Sequence, residues 1–304
     1  MTDAQKGILG LICACTIWGL SSLYYKLLAH VPPLEVLAHR TLWSCVFFLA
    51  LLAMRGRIRE LGQAIGTPRA AIIILFAALM IAANWFCFIL SIQIGKATEA
   101  SLGYYIFPLV AVLLGVIVFR ERLTLTQAIA VGLATLAVIV LTVGLGVAPW
   151  VSLIISVTFG FYGVVKKKLS TGPVVSVTAE VLLLTPIALI WLFGVWKTGQ
   201  PAFGANLRDT LLLMVSGPLT ATPLILFSAA AKRVNYATVG LVQYLNPTLQ
   251  FLVAVMIFQE PFGQWHQLAF ALIWTALALY SVSAVRQDRA ARRVATASEG
   301  VSTN

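Results

Sequence analysis

The sequence predicts an all-α polytopic membrane protein. The chain has 304 residues, of which 60% are hydrophobic and only 10% are charged, and its mean hydropathy is +0.95. Soluble domains carry about 25% charged residues, so this composition excludes a soluble protein. Apolar runs near the roughly 20 residues needed to cross a bilayer also follow one another along the chain. The connections between them are too short to hold a soluble domain.

Ten apolar runs qualify as transmembrane helices. They cover residues 7–28, 37–54, 70–92, 98–118, 125–143, 149–165, 175–196, 209–231, 236–258 and 264–285. Lys6 before the first run is typical of a secretory signal, but the run continues to about Leu28 without a small-x-small cleavage site. We therefore expect this run to be the first transmembrane helix. The polar, basic residues 286–304 should form a flexible cytoplasmic tail.

The distribution of basic residues predicts that both termini are cytoplasmic, because cytoplasmic loops are enriched in Lys and Arg. With the N-terminus inside, sixteen of the 21 Lys and Arg residues fall on the inner side. The other five lie at the outer side or at outer helix ends: Lys26, Arg40, Lys96, Lys197 and Arg208. Since the basic residues punctuate apolar runs, the net charge of +11 indicates membrane topology and not a nucleic-acid partner.

One stretch occurs twice in the chain. Residues 97–123 read ATEASLGYYIFPLVAVLLGVIVFRERL, and residues 237–262 read ATVGLVQYLNPTLQFLVAVMIFQEPF. In each copy a proline precedes a glutamate by thirteen positions. Ten helices divide into two sets of five, so the second set enters the membrane from the opposite side. The sequence therefore predicts two five-helix repeats of inverted topology, residues 1–144 and 145–285, with a substrate site between them near mid-membrane.

These motifs resemble the EamA domains of the drug/metabolite transporter superfamily. The duplicated five-helix plan, the two Pro-x12-Glu copies and the Trp18-Gly19 pattern carry the resemblance. Within the superfamily, four stretches are similar to the RarD group: Ala38-His39-Arg40 with Trp43-Ser44, Asn84-Trp85, residues 100–105, and Gly240 with residues 243–248. Phe107 departs from the pattern, because a polar residue is expected as the first-half counterpart of Asn246.

The resemblance implies an inner-membrane permease for a small-molecule substrate. The name of the group is linked to chloramphenicol sensitivity, but that name does not establish which substrate is transported. It also implies that the predicted fourth and ninth spans line a shared cavity. The first, third, sixth and eighth spans would surround them, and the fifth and tenth would be peripheral.

Two prolines inside predicted helices, Pro108 and Pro247, mark a candidate transport path. A proline frees the carbonyl four residues earlier, and in lipid such a carbonyl should face protein or a water-filled cavity. We interpret both prolines as helix kinks that present carbonyls, phenols and amides to a substrate. The alternative is that they only set helix packing. The polar residues beside the two kinks are Tyr104, Tyr105, Gln243, Tyr244 and Asn246.

Three ionisable residues in or beside apolar runs are further candidates. Arg40 either extends to the outer interface or pairs with an anion. That anion could be Glu35, Glu99 or a substrate carboxylate. His39 either titrates in proton coupling or stays neutral, bonded to a backbone carbonyl. Glu180 should face the protein interior, paired or protonated, either in the transport path or as a structural pair.

Asn84, Trp85 and Tyr162 lie well inside predicted helices and either contact a substrate or pack. Glu121 and Glu260 fall at predicted helix ends, and we expect a structural role for both.

The sequence lacks the motifs of membrane-embedded enzymes and of ATP-driven transport, such as His-Glu-x-x-His, Gly-x-Ser-x-Gly and Gly-x4-Gly-Lys-Ser/Thr. We therefore expect a secondary transporter, not an enzyme, that needs no metal or cofactor and works by alternating access. Its partners would be the lipid bilayer and a small metabolite or drug-like molecule, and whether it forms a homodimer is open. The alternative function is a non-transporting membrane scaffold or partner subunit.

Overall fold

The computed structural model describes residues 2–120, 124–146, 148–169, 171–231, 233–234 and 236–301. Its helices are α1 (Asp3–Leu27), α2 (Pro33–Met54), α3 (Ile58–Ala64), α4 (Pro68–Gln93), α5 (Ala97–Phe119), α6 (Leu125–Leu145), α7 (Trp150–Lys168), α8 (Pro173–Lys197), α9 (Leu207–Ala231), α10 (Tyr236–Gln243), α11 (Leu245–Leu252) and α12 (Gln264–Val301). A π-helical segment, Val253–Ile257, continues α11. Glu121, for which the sequence suggests a structural role, lies outside the described residues.

Eight of the described helices are long and apolar enough to cross a membrane: α1, α2, α4, α5, α6, α8, α9 and the first part of α12. Two further apolar helical segments, Trp150–Lys166 and Leu241–Ile257, are shorter. All ten coincide with predicted spans, which confirms an all-α, multi-pass membrane protein. The sequence did not predict the short helix α3 between the second and third spans.

Local signals set the starts of several helices. Thr2, Thr67 and Thr124 each accept a hydrogen bond at the side-chain oxygen from the backbone N–H three residues later. Pro68 directly follows one of these caps, and proline at the first helical position costs no hydrogen bond. Gly146, with φ of 69°, ends α6 in the left-handed conformation that glycine adopts most readily. The sequence therefore encodes these boundaries locally.

The last helix extends beyond its predicted end. The sequence predicts a flexible tail from residue 286, whereas the described backbone of α12 is helical to Val301. Alanine and arginine have high helix propensities, so the composition of this segment favours continuation of the helix. Residues 302–304 lie outside the described part.

The two copies of the repeated stretch differ in backbone. α5 runs through Pro108 as one helix, whereas the second copy is interrupted at Tyr244, between α10 and α11. The Tyr244 carbonyl accepts hydrogen bonds from both the backbone N–H and the hydroxyl of Thr248, at 3.2 and 2.7 Å. Only the copy containing Pro247 therefore has a break beside its proline.

Glycines permit close packing between the two halves. A Cβ on Gly19 of α1 would lie 2.6 Å from the Cβ of Leu249 in α11. On Gly217 of α9 it would lie 2.5 Å from the backbone carbonyl of Trp43 in α2. Real Cβ contacts are longer than this, so both helix pairs require glycine at these positions.

One end of the helix bundle, here called the Glu260 end, is held by hydrogen bonds across the halves. The Glu260 carboxylate accepts from the backbone N–H groups of Ala97 and Thr98, each at 2.7 Å, and so caps α5. Glu35 accepts from the Ala202 N–H at 2.7 Å. A carboxylate at a helix N-terminus is favoured by charge and by the free N–H groups there. Glu260 therefore has the structural contact expected of it.

Candidate substrate cavity

A cavity of about 780 Å³ lies between helices of both halves. The lining residues come from α1, α2, α4, α5 and α7–α12, and the described part of α6 contributes none. α12, the tenth span, was expected to be peripheral but contributes Tyr280. The lining agrees with the expected central role of the fourth and ninth spans, which correspond to α5 and α10–α11. α2 and α8 also reach the cavity, as the candidates Arg40 and Glu180 on these helices suggested, although neither helix was among those that the resemblance places at the cavity.

Ten of the residues predicted for the transport path or the kinks line this cavity. They are Arg40, Asn84, Trp85, Tyr104, Pro108, Tyr162, Gln243, Tyr244, Asn246 and Pro247. Three others, His39, Tyr105 and Glu180, are buried behind or beside it.

Asn84 ties three helices together at the cavity wall. Its side-chain amide donates to the Ile155 carbonyl of α7 at 2.9 Å. Its side-chain oxygen accepts from the Tyr104 hydroxyl of α5 at 2.8 Å. A buried amide with both ends bonded has a fixed orientation. Asn84 and Tyr104 therefore present an ordered polar surface in a largely aromatic wall.

Arg40 is a buried cation at the cavity. The residue is 7% exposed, and its guanidinium lies 4.0 Å from the ring centre of Trp85 and 5.6 Å from that of Tyr25. Its Nε has no hydrogen-bond partner. Neither protein carboxylate suggested for it forms an ion pair with it. Glu35 caps Ala202, and Glu99 pairs with Lys96 at 2.8 Å.

A second polar cluster surrounds Glu180, whose side chain is 1% exposed. The carboxylate accepts from Lys166 Nζ at 2.6 Å, from the Ser176 hydroxyl at 3.0 Å and from the Tyr162 hydroxyl at 3.1 Å. Lys166 and Tyr162 line the cavity, so Glu180 lies one layer behind them. Sequence reasoning assigned Lys166 only to a basic loop. Lys166 follows Tyr162 by four residues in α7, so the two side chains lie on the same face of the helix. This spacing could have identified Lys166 as a lining residue.

Tyr105 and His39 face away from the lining. The Tyr105 hydroxyl lies 2.6 Å from the Thr248 hydroxyl, and its ring packs edge-on against Phe270 at 6.0 Å. The His39 ring stacks on Phe203 at 4.8 Å, and its Nδ1 has no hydrogen-bond partner. One alternative from the sequence was a neutral His39 bonded to a backbone carbonyl. The Nδ1 of His39 does not make such a bond.

The segment around Pro247 contributes amides to the cavity. The Gln250 side-chain N–H donates to the Asn246 side-chain oxygen at 3.0 Å. Phe107, where a polar counterpart of Asn246 was expected, packs against Phe159 with ring centres 4.6 Å apart, and both line the cavity. The aromatic lining residues that the sequence did not predict are Trp18, Tyr25, Phe88, Phe107, Phe159, Phe227 and Tyr280.

This arrangement suits a small organic molecule. Ligand cavities of 300–1,000 Å³ with apolar walls and a few fixed polar groups are typical of small-molecule sites. Among the described residues, no cluster of three or more His, Cys, Asp or Glu side chains could hold a metal ion.

Comparisons with known proteins agree on the kind of protein. Residues 5–143 match the EamA-like transporter family. The chain is 42% identical to an uncharacterized transporter of Pseudomonas aeruginosa, over 94% of this chain and 97% of that relative. It is 38% identical to Protein RarD of Salmonella typhimurium, over 94% of this chain and 98% of that relative.

A solved crystal structure is similar in fold, with a TM-score of 0.60 at 18% identity, covering 93% of this chain and 99% of that chain. The likeness to this crystal structure concerns the fold alone. The family assignment comes from the relatives that match nearly the full length of the chain. The chain belongs to the EamA-like transporter family and is a RarD-like, multi-pass membrane transporter.

Proposed function

We propose that the chain is a secondary transporter that moves a small metabolite or drug-like molecule across the inner membrane by alternating access. The observation that carries this proposal is the cavity of about 780 Å³, lined by helices of both halves. In transporters built from two related halves, the substrate site lies at their interface, and the halves rock around it.

The helix contacts support the inverted repeat, with halves at residues 1–144 and 145–285. In this scheme α1, α2, α4, α5 and α6 correspond to α7, α8, α9, α10–α11 and α12. If each helix is replaced by its counterpart in the other half, the contact between α1 and α9 becomes the contact between α7 and α4. In the same way, the contact between α1 and α11 becomes the contact between α7 and α5. All four contacts occur. The helix pairs α2–α8, α5–α11 and α6–α12 also contact one another, as pairs across a twofold axis should.

The direction in which the cavity opens supports an inward-facing state. The hydrogen bonds of Glu260 and Glu35 hold the Glu260 end together. The cavity reaches Pro173 at the opposite end of the bundle, and Pro173 is exposed. That opposite end carries Arg55, Arg57 and Arg59, so the positive-inside rule assigns it to the cytoplasm together with both termini.

The transport path would use the lining side chains Arg40, Asn84, Trp85, Tyr104, Tyr162, Gln243, Tyr244 and Asn246. Glu180 would act through Lys166 and Tyr162, which it orients. His39 and Tyr105 would act by packing, since neither side chain lines the cavity.

Flux through proteoliposomes tests the proposal against the scaffold alternative. The purified chain is reconstituted, and saturable counterflow is measured for a panel of amino acids, amphenicols and small carboxylates. Ala111→Trp would fill the cavity that Ala111 lines, and Ala128→Trp on the exposed face of α6 is the matched control. We expect saturable flux for at least one compound, its loss in Ala111→Trp and its retention in Ala128→Trp. Equal flux in both variants would contradict transport through this cavity.

A further inference from the structure

We infer that the substrate of this cavity is a small carboxylate with an aromatic or apolar body, and that Arg40 anchors its carboxylate. This inference rests on the proposed transport function and adds the chemical class of the substrate.

The first step is the unmet bonding capacity of Arg40. A guanidinium carries five N–H donors in a planar fork and stays charged in proteins. The Nε of Arg40 has no hydrogen-bond partner, and no carboxylate of the described residues forms an ion pair with the side chain, although the residue is more than nine-tenths buried. The rings of Trp85 and Tyr25 attract the cation and hold it in place, but they offer no oxygen acceptor.

The second step is that no carboxylate of the described residues forms an ion pair with Arg40. Glu35 Oε1 accepts from the Ala202 N–H, and Glu99 Oε1 pairs with Lys96. Glu99 Oε2 has no hydrogen-bond partner, so it does not bond Arg40 either. The Asn84 oxygen accepts from Tyr104. A buried charge whose donors remain free is costly in a membrane protein and characterises a functional site. The complementary acceptor must therefore come with the ligand.

The third step is the charge balance of the cavity. Among the described lining residues, only Arg40 and Lys166 carry a full charge. Lys166 is neutralised by Glu180 at 2.6 Å, so the lining has an uncompensated charge of about one positive unit, at Arg40. A ligand with one carboxylate balances this charge, whereas a cationic ligand would add to it.

The fourth step concerns the rest of the ligand. Trp85 and Tyr25 flank the guanidinium, and Phe88, Phe107 and Phe159 continue the aromatic wall. A carboxylate bound in the fork of Arg40 would place its attached carbon chain against these rings. Such walls favour an aromatic or apolar body.

Matched probes of one shape and different charge test the inference on the purified full-length chain. The first set is phenylacetate, phenylacetamide and phenethylamine, and the second is indole-3-acetate, indole-3-acetamide and tryptamine. Binding is measured by calorimetry and by the shift in melting temperature. In the wild type we expect each carboxylate to bind about tenfold or more tighter than its amide, as a charge-assisted bidentate contact should. The amines should bind weakest.

Three variants locate the effect. Arg40→Gln should bind the carboxylate no better than the amide. Arg40→Lys keeps the charge but loses the fork and should lose at least about threefold of the preference. Arg55→Gln, an exposed arginine in the connection after α2, should behave as the wild type.

The inference is overturned if neither set shows a carboxylate preference in the wild type, including the case in which nothing binds. It is also overturned if Arg40→Lys keeps the full preference for the carboxylate over the amide. This comparison still decides the question if Arg40→Gln does not fold. Counterflow with the same probes separates the two proposals. If binding depends on Arg40 but no compound shows flux, the proposed transport function is contradicted and the carboxylate site is not. Equal flux of amides and carboxylates would contradict the carboxylate site alone.

Discussion

Lys166 and Glu180 form an ion pair of 2.6 Å that joins α7 to α8 beside the cavity. The Glu180 side chain is 1% exposed and that of Lys166 is 24% exposed, so the pair is buried on the side of the carboxylate. Breaking such a pair by removing one partner leaves the other charge uncompensated, whereas replacing both is often tolerated. The pair therefore also keeps the charge of Lys166 from competing with that of Arg40.

Glu180→Gln should destabilise the protein by roughly 1–3 kcal/mol, because Lys166 loses its counter-ion while the hydroxyls of Tyr162 and Ser176 keep an acceptor. The double change Lys166→Met and Glu180→Leu should recover most of that loss. Melting temperatures of the wild type, Lys166→Met, Glu180→Leu and the double variant measure the coupling. Additive effects would show that the two side chains do not interact.

Glu260→Gln should weaken the cap of α5. A glutamine oxygen can accept one of the two N–H groups of Ala97 and Thr98, but its own NH₂ group then faces the other. We expect a loss of about 1–3 kcal/mol and faster amide hydrogen exchange at these two residues. Gln259→Ala, one residue earlier, is the control. Unchanged exchange at Ala97 and Thr98 would argue against the cap.

Gly217→Ala should lower the melting temperature by several degrees, because the added Cβ would lie 2.5 Å from the Trp43 carbonyl and push α9 from α2. Gly132→Ala in α6 is the matched control, since a Cβ at Gly132 would meet no described atom within 4 Å. That substitution should leave stability unchanged or raise it slightly, since alanine is the better helix former. A similar melting temperature for both variants would contradict the close contact.

Tyr104→Phe and Tyr105→Phe should have different consequences, although the two tyrosines are adjacent. The Tyr104 hydroxyl bonds Asn84 at the cavity wall, so its loss should change KM for transport. The Tyr105 hydroxyl lies against Thr248 outside the lining, so its loss should cost about 1 kcal/mol of stability and leave KM unchanged. Transport kinetics and melting curves of both variants check this. A change in KM for Tyr105→Phe alone would reverse the assignment.

The sequence was sufficient for the fold class and for ten of the 29 described residues that line the cavity. Periodic apolar runs determine the helices, and the repeated stretch identifies the two helices at the centre of the cavity. It could not distinguish Tyr104 from Tyr105, because adjacent helical positions differ by about 100° and the absolute rotation of a helix depends on tertiary packing. It also left the partner of Arg40 open among Glu35, Glu99 and a ligand, since ion pairing depends on contacts between helices distant in sequence.

The break at Tyr244 was equally hidden. Both copies contain a proline, and a proline in a membrane helix can be absorbed by a continuous helix or can interrupt it. In the second copy the helix is interrupted at Tyr244, whose N–H bonds the Leu241 carbonyl three residues earlier, whereas α5 continues through Pro108.

The hydrogen bonds between Glu260 and the start of α5 join residues 163 and 162 positions apart in the chain. During biosynthesis, the N-terminal half reaches the membrane long before its capping carboxylate has been translated. The amide groups of Ala97 and Thr98 therefore lack the Glu260 carboxylate until the ninth span has been inserted. Completion of the fold is consequently a late event that reports the insertion of nearly the whole polypeptide.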